Sequence, residues 1–248
     1  MFLEDCFKKD IDLAIDWERI EQIPEMAELK NCQQSPKWHQ EGNAWIHTQR
    51  VVDAAYVKSY DFSDFWIREK LIVSALFHDV GKCNTTFQDS KKPGVWHSYN
   101  HEFESERLVK EIFKEDDTII MPLDTVTMVE EIAKIVRNHM AVLKLLDTKT
   151  PYENIIKMVN EVGGKENFDI LVALKECDLK GSEPEDKIGQ TADFLRLKEI
   201  QRIADVLYGE EVFNFTPHLK GEFDFEKYLK EKSIKTLQTL ANFNGKNN

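Results

Sequence analysis

The sequence predicts an all-α fold, one large helical bundle with a C-terminal helical extension, and three observations point to it. Nearly every segment with a regular apolar pattern repeats at about 3.6 residues, the period of one helix face. Strict polar–apolar alternation, the mark of a half-buried strand, is scarce. Capping residues, prolines at first helical positions and a glycine pair punctuate the chain at helix-length intervals. At 248 residues the chain can bury one sizeable core, and no repeat, low-complexity tract or long linker divides it.

The elements follow in order. Residues 1–35 read as an N-terminal helical segment, 36–182 as the main domain, and 183–248 as a helical extension packed on it. Residues 47–59 place Val51, Val52, Ala55 and Tyr56 on one stripe. Residues 65–80 turn Ile67, Leu71, Ile72, Ala75 and Leu76 inward. A polar, glycine-containing loop over 83–99 leads to Asn100, suited to cap a helix carrying Phe103, Leu108, Ile112 and Phe113. Pro122 and Asp124 open another, with Val129, Ile132, Ala133 and Val136. "TPYE" (Thr150–Glu153) is a capping box with proline at the first helical position. Gly163 and Gly164 separate that helix from one over 166–180. "SEPE" (Ser182–Glu185) repeats the capping pattern before a long amphipathic helix with Phe194, Leu197, Ile200, Ala204 and Leu207. A last helix, 224–241, carries Phe225, Leu229, Leu237 and Leu240.

A net charge of −12 repels polyphosphate backbones, which makes long nucleic acids and anionic membranes poor partners. A small phosphorylated substrate stays compatible, because one bound cation reverses the local sign. Cys6, Cys32, Cys83 and Cys177 form no C-x-x-C pair; this is neither a zinc ribbon nor a disulfide framework and suits a reducing cytoplasm. The opening "MFLEDCFKKDIDLAID" lacks the basic start and apolar centre of a signal peptide, and no apolar run approaches membrane-spanning length. The expectation is a cytoplasmic, unprocessed chain, with a homo-oligomer left open.

One stretch breaks the apolar pattern. In "SALFHDVGK" (74–82) His78 and Asp79 follow a core face, and burying both costs several kcal/mol unless each finds a partner. Of the seven histidines, others fall in similar places. His47 shares the stripe of Val51 and Ala55, His101 opens a helix, and His139 lies on the face of Ile132 and Val136. Asp178 follows Leu171 and Leu174 on another apolar face. Five helices therefore each send a metal-type ligand inward, which is costly without a metal and a coordination sphere with one. Histidine with aspartate and little cysteine points to Mn, Fe, Co, Ni, Zn or Mg.

The order His47, His78–Asp79, His101, His139, Asp178 resembles that of the HD superfamily of metal-dependent phosphohydrolases, and "HDVGK" is similar to its extended HD-x-G-K form. "PKWHQEGNAWIHT", "IREKLIVSALFHDVGK", "NHEFES" and "ECDLKGS" resemble segments of the HD domain of bacterial tRNA nucleotidyltransferases, over residues 36–182. The G-G-x-x-R-D start of a nucleotidyltransferase domain is missing, and "HDVGKCNTT" lacks the E-D pair of ppGpp hydrolases. The resemblance thus implies a stand-alone HD phosphohydrolase that is neither a CCA-adding nor an alarmone-hydrolysing enzyme.

The resemblance further implies one or two divalent ions. His47, His78, Asp79 and Asp178 would hold the first, and Asp79 would bridge to a second on His101 and His139. Asp79 and Lys82 are the implied catalytic residues, with a water-derived nucleophile attacking phosphorus and Lys82 placing charge on a phosphate oxygen or the leaving group. His39, Asn43, Arg50, His97 and Arg137 are weaker substrate-binding candidates, and Glu41 lies in the same leader. The implied substrate is a small nucleotide or nucleic-acid end, 2′,3′-cyclic phosphate among the options. Alternatives are a deoxynucleotide phosphatase, a nucleoside triphosphate hydrolase, a non-catalytic metal- or nucleotide-binding regulator, and an assembly protein that docks through the C-terminal helices.

Overall fold

Helices carry nearly all the regular structure in the computed structural model, which describes residues 15–115 and 125–209. Two short helices, α1 (Trp17–Ile20) and α2 (Pro24–Glu28), lead into α3 (Ala44–Ser59) and α4 (Phe65–Phe77). A single turn, α5 (Lys82–Thr85), precedes a hairpin of β1 (Thr86–Gln88) and β2 (Trp96–Ser98). Then come α6 (His101–Glu115), α7 (Thr125–Asn138), a 3₁₀ turn (Val142–Leu146), α8 (Pro151–Val162), α9 (Lys165–Gly181) and α10 (Lys187–Tyr208). No helix among the described residues is long and apolar enough to cross a membrane. The described residues through Asp205 lie in one compact unit; a second begins at Val206, of which only 206–209 are described.

Local chemistry sets the helix ends. Asn43 starts α3 by accepting the Ile46 N–H at 3.0 Å, and Asp64 starts α4 by accepting from Trp66 and Ile67. Gly163, at φ 95°, ends α8 in the left-handed region that a side chain resists, and α9 restarts after Gly164. The core lies where α3, α4 and α9 meet, with Val51, Ala55, Leu71, Ile72, Phe168 and Leu171 buried. The α6–α7 pair closes one side of it with Leu108, Val109, Ile132 and Val136.

Four expectations change. The segment 83–99 is not an irregular loop: Phe87 pairs with His97 in an antiparallel register. Three-residue strands are too short to show alternation, and Ser35 stabilises this one from outside, its Oγ accepting from the Trp96 N–H at 2.8 Å and donating to the Trp96 carbonyl at 2.9 Å. Thr150 forms no side-chain cap, so α8 starts on Pro151 alone. α10 starts later than the Ser182 signal implies, because Ser182 closes α9 by donating to the Asp178 carbonyl (2.9 Å) while Asp186 accepts the Gly189 N–H (2.8 Å). Phe103 is 47% exposed rather than inward. Pro122, Asp124 and the expected helix 224–241 lie outside the described residues.

Candidate metal centre

Each candidate ligand sits where a helix begins, ends or faces the core. His47 is in the first turns of α3, His78 and Asp79 follow α4, His101 opens α6, His139 follows α7, and Asp178 lies in the last turns of α9. Gly81 permits the close approach of α4's end to α6. Its N–H donates to Ser105 Oγ at 2.8 Å, and a β-carbon there would collide with the His101 carbonyl and stand 2.5 Å from the Ser105 nitrogen.

One local device aims three of the rings. His78 Nδ1 donates to the Ala75 carbonyl (2.8 Å), His101 Nδ1 to the Ser98 carbonyl (2.7 Å) and His139 Nδ1 to the Val136 carbonyl (2.6 Å). Ala75 and Val136 belong to the last turns of α4 and α7, where carbonyls run short of helical partners; the Val136 carbonyl takes only a long backbone bond, from the His139 N–H at 3.4 Å. A carbonyl only accepts, so each Nδ1 carries a proton and each Nε2 is turned toward the cluster, where its lone pair is available to a cation in the neutral ring. His47 reaches the same state differently: its Nδ1 donates to Glu41 Oε1 at 3.0 Å.

The four Nε2 atoms converge in two pairs. His47 and His78 Nε2 are 3.4 Å apart, as are those of His101 and His139. Asp79 lies between them, with Oδ2 3.2 Å from His78 Nε2 and 3.6 Å from His47 Nε2, and Oδ1 3.1 Å from His101 Nε2 and 3.8 Å from His139 Nε2. Asp178 Oδ1 completes the first group, 3.1 Å from His47 Nε2. In each of the trios His47–His78–Asp79 and Asp79–His101–His139 the ligand atoms lie within 4.8 Å of one another. Nitrogen lone pairs facing each other cannot hydrogen-bond, and a divalent cation satisfies both them and the carboxylates. The donor set therefore fits the metal that the ligand order implies.

Two buried lysines hold the carboxylates. Lys82 Nζ contacts Asp79 Oδ2 at 2.6 Å and Gln34 Oε1 at 2.7 Å. Lys175 Nζ contacts Asp178 Oδ2 at 2.6 Å, which leaves Oδ1 to the cluster. Burial would raise the Asp79 carboxyl, but His78 and Lys82 outweigh it and hold it well below the usual range. Asp178 behaves likewise through Lys175 and His47. Burial, reinforced by His101 and His78, holds His139 well below the ordinary histidine range, which favours the neutral imidazole. Burial would lower His47 too, but Asp178 and Glu41 raise it, and a proton and a cation compete for that ring. Burial also opposes ionisation of Glu41, yet hydrogen bonds from His39 and His47 hold it below the usual glutamate range.

The cluster floors a cavity of about 660 Å³, a size common for small-molecule sites. Asp79, Lys82, His101, His139, Lys175 and Asp178 form its inner end, and Trp38, Trp96, Met140 and Leu143 give it apolar wall. Of the weaker candidates, His39 also lines it and bonds Glu41 at 2.6 Å. The other four do not line it. Asn43 spends both ends of its amide on the Ile46 N–H and the Lys30 carbonyl. Arg50 pairs with Glu183 at 2.5 Å, and Arg137 with Glu106 at 2.8 Å while covering the Phe103 ring. His97 stacks on Tyr99. Sequence reasoning missed Lys175; the signal was its position three before Asp178, the mirror of Lys82 three after Asp79.

A family model described as an HD domain matches residues 46–207. Neither the curated proteins nor the solved structures searched contain a match to the chain.

Proposed function

Since the chain belongs to the HD domain family, within the metal-dependent phosphohydrolase superfamily, we propose that it hydrolyses phosphate esters of a small nucleotide or a nucleic-acid end, 2′,3′-cyclic phosphate included. One observation carries the reading: four histidine Nε2 atoms, each on a ring whose Nδ1 is hydrogen-bonded away from the cluster, converge on one carboxylate at the floor of a cavity, with a buried lysine beside each aspartate. His47, His78, Asp79 and Asp178 would hold one divalent ion and Asp79, His101 and His139 a second. Bound there, such an ion supplies Lewis-acid charge to phosphoryl oxygens and acidifies water at neutral pH.

The chain's own groups position the ester. Lys82 uses two of its three N–H donors on Asp79 and Gln34, which leaves one for a phosphoryl oxygen. Lys175 donates to Asp178 at 2.6 Å and weakly to Met140 Sδ at 3.8 Å, and it faces the same cavity. Both ammoniums are nearly dry, where a fixed charge stabilises developing negative charge more than in water. Trp38 and Trp96 offer flat surfaces to the rest of the substrate. Free thiols at Cys32, Cys83 and Cys177 support action in a reducing compartment.

The test is hydrolysis of bis-p-nitrophenyl and p-nitrophenyl phosphate with Mn²⁺, Ni²⁺, Co²⁺ or Mg²⁺, followed by a nucleotide panel, for wild type and Asp79→Ala. Metal-dependent turnover lost in the variant supports the reading, and product analysis separates diesterase, deoxynucleotide phosphatase and triphosphate hydrolase. A protein that holds metal by elemental analysis yet turns over nothing on the panel overturns it in favour of a non-catalytic binder.

A further inference from the structure

The hairpin that walls the cavity has a second face. Trp96 and Ser98 of β2 line the cavity, and His97 between them takes the opposite face, as alternation requires. There His97 stacks on Tyr99, with ring centroids 5.0 Å apart and planes 15° from parallel. Phe87, the cross-strand partner of His97, lies 5.6 Å from its ring and 5.7 Å from that of Tyr99. Phe87 is 47% and Tyr99 64% exposed.

The tip of the hairpin adds charge. Asp89 organises the turn: its N–H donates to the Val95 carbonyl, its Oδ1 accepts from the Lys91 N–H at 2.8 Å, and its Oδ2 faces His97 at 3.6 Å. With that carboxylate engaged, Lys91 and Lys92 are exposed, and neither ammonium has an ion-pair partner among the described residues. Exposed flat aromatic rings on a hairpin whose tip carries two exposed ammoniums suit a ligand that alternates planar groups with negative charge, which describes a single-stranded nucleic acid. The rings lie on the face of β2 turned away from the cavity, one residue from Trp96 and Ser98 in its wall, so a strand whose end enters the cavity reaches them by passing around the hairpin.

We infer that Phe87, His97 and Tyr99 form a base-stacking subsite for the nucleotides that adjoin the phosphate-bearing end of a short single strand, with Lys91 and Lys92 on its backbone. The inference rests on the phosphohydrolase reading and deepens it. It also sets a length. Two lysines neutralise few phosphates, and the −12 chain repels the rest, so affinity rises over the first few nucleotides and then stops. A duplex gains nothing, since its bases already stack on each other.

The test is displacement of a fluorescein-labelled hexanucleotide from the full-length protein in Mn²⁺, read by anisotropy. The competitors are one, two and four nucleotides long and end in a non-hydrolysable 3′-methylenephosphonate. Affinity should rise at least about fivefold from one to four nucleotides in wild type. The rise should vanish in the F87A/Y99A double variant and shrink in K91Q/K92Q, with p-nitrophenyl ester turnover unchanged in both. Those positions are exposed, and the unchanged turnover certifies the fold. Affinity independent of length, or an equal rise in wild type and variants, overturns the subsite. If the nitrophenyl esters are still hydrolysed in that case, the phosphohydrolase reading survives it. Length-dependent binding without hydrolysis of any ester leaves the subsite standing and overturns the phosphohydrolase reading instead.

Discussion

Replacing Glu41 by glutamine removes one acceptor from a carboxylate that uses both oxygens. Oε1 accepts from His47 Nδ1 at 3.0 Å and His39 Nδ1 at 2.6 Å, and Oε2 accepts from the Glu183 N–H at 2.8 Å. An amide offers a single oxygen. If that oxygen stays on the histidines, the new NH₂ faces the Glu183 N–H, donor against donor. If it turns away, the NH₂ faces His47 and drives its proton to Nε2, which withdraws that nitrogen from the cluster. Outer partners of this kind are worth about 10- to 100-fold in metal affinity, so Glu41→Gln is expected to weaken Mn²⁺ binding by at least about tenfold, or about 1.4 kcal/mol. Calorimetric Mn²⁺ titration of wild type, Glu41→Gln and Glu41→Asp measures this, with thermal melts in EDTA as the control for folding. A folded Glu41→Gln protein that binds Mn²⁺ within twofold of wild type would refute the claim that Glu41 sets the His47 tautomer.

Gly81→Ala forces a β-carbon into the His101 carbonyl and the Ser105 nitrogen; overpacking of this sort costs about 1–3 kcal/mol or more, visible as a lower Tm and as weaker metal binding through displaced His101. Burial alone raises buried Glu69 to about 7, and its Oε2 has no partner among the described residues. Its folded pKa thus exceeds the unfolded value, so its penalty is absent well below pH 4.5, grows as pH rises and is complete above about 7; Glu69→Gln should stabilise by up to about 3 kcal/mol at pH 8 and by well under about 1 kcal/mol at pH 4.5 in urea melts. Lys82→Met should keep its metal content and lose on the order of 10²-fold in turnover, whereas a variant as active as wild type would remove Lys82 from the reaction. Nucleoside monophosphate should bind the EDTA-stripped protein at least about tenfold more weakly than the Mn²⁺ form, and equal affinity in equilibrium dialysis would show that the cavity recognises the nucleoside alone.

The fold was legible wherever apolar residues repeat over several turns. α3, α4, α7, α8 and α9 all appear where the periodicity puts them, because helix formation and face burial are decided within a few residues of sequence. The hairpin was not legible, since its register depends on Ser35, 61 residues before Trp96. The six ligand candidates stood out as polar residues on apolar faces, a pattern that costs too much to be incidental, and the folded chain brings all six together. Lys175 did not stand out, because a lysine on a helix is ordinarily solvated. Only the fold shows that it is buried against Asp178. Glu41 was visible as part of the leader, but its bond to His47 is a matter of tertiary distance. Arg50 and Arg137 could have faced phosphate, and their partners Glu183 and Glu106 lie 133 and 31 residues away, beyond any local reading.

The acidity of the chain and an anionic substrate are reconciled at the cavity itself. Histidines aside, its charged lining comprises Asp79, Asp178, Asp186 and Asp193 against Lys82, Lys175 and Arg196, a formal balance of one negative charge. Arg196 is engaged by Asp147 and the Leu143 carbonyl, so the balance felt by a substrate is more negative still. One divalent cation would change the sign of the formal lining charge and a second would strengthen it, and at the buried aspartates that charge would be less screened than at the surface. The two lysines keep each aspartate ionised and oriented without the cation, and because each offsets its own partner's charge, neither pair is a net positive charge at a distance, although Lys82 keeps an N–H donor for a phosphoryl oxygen at contact. Attraction to an anion therefore belongs to the loaded cluster and not to the fold alone. On the proposed reading the −12 charge of the whole chain would discriminate as well: it would disfavour extended polyanions, while a loaded cluster would accept a single phosphoryl group at the cavity floor.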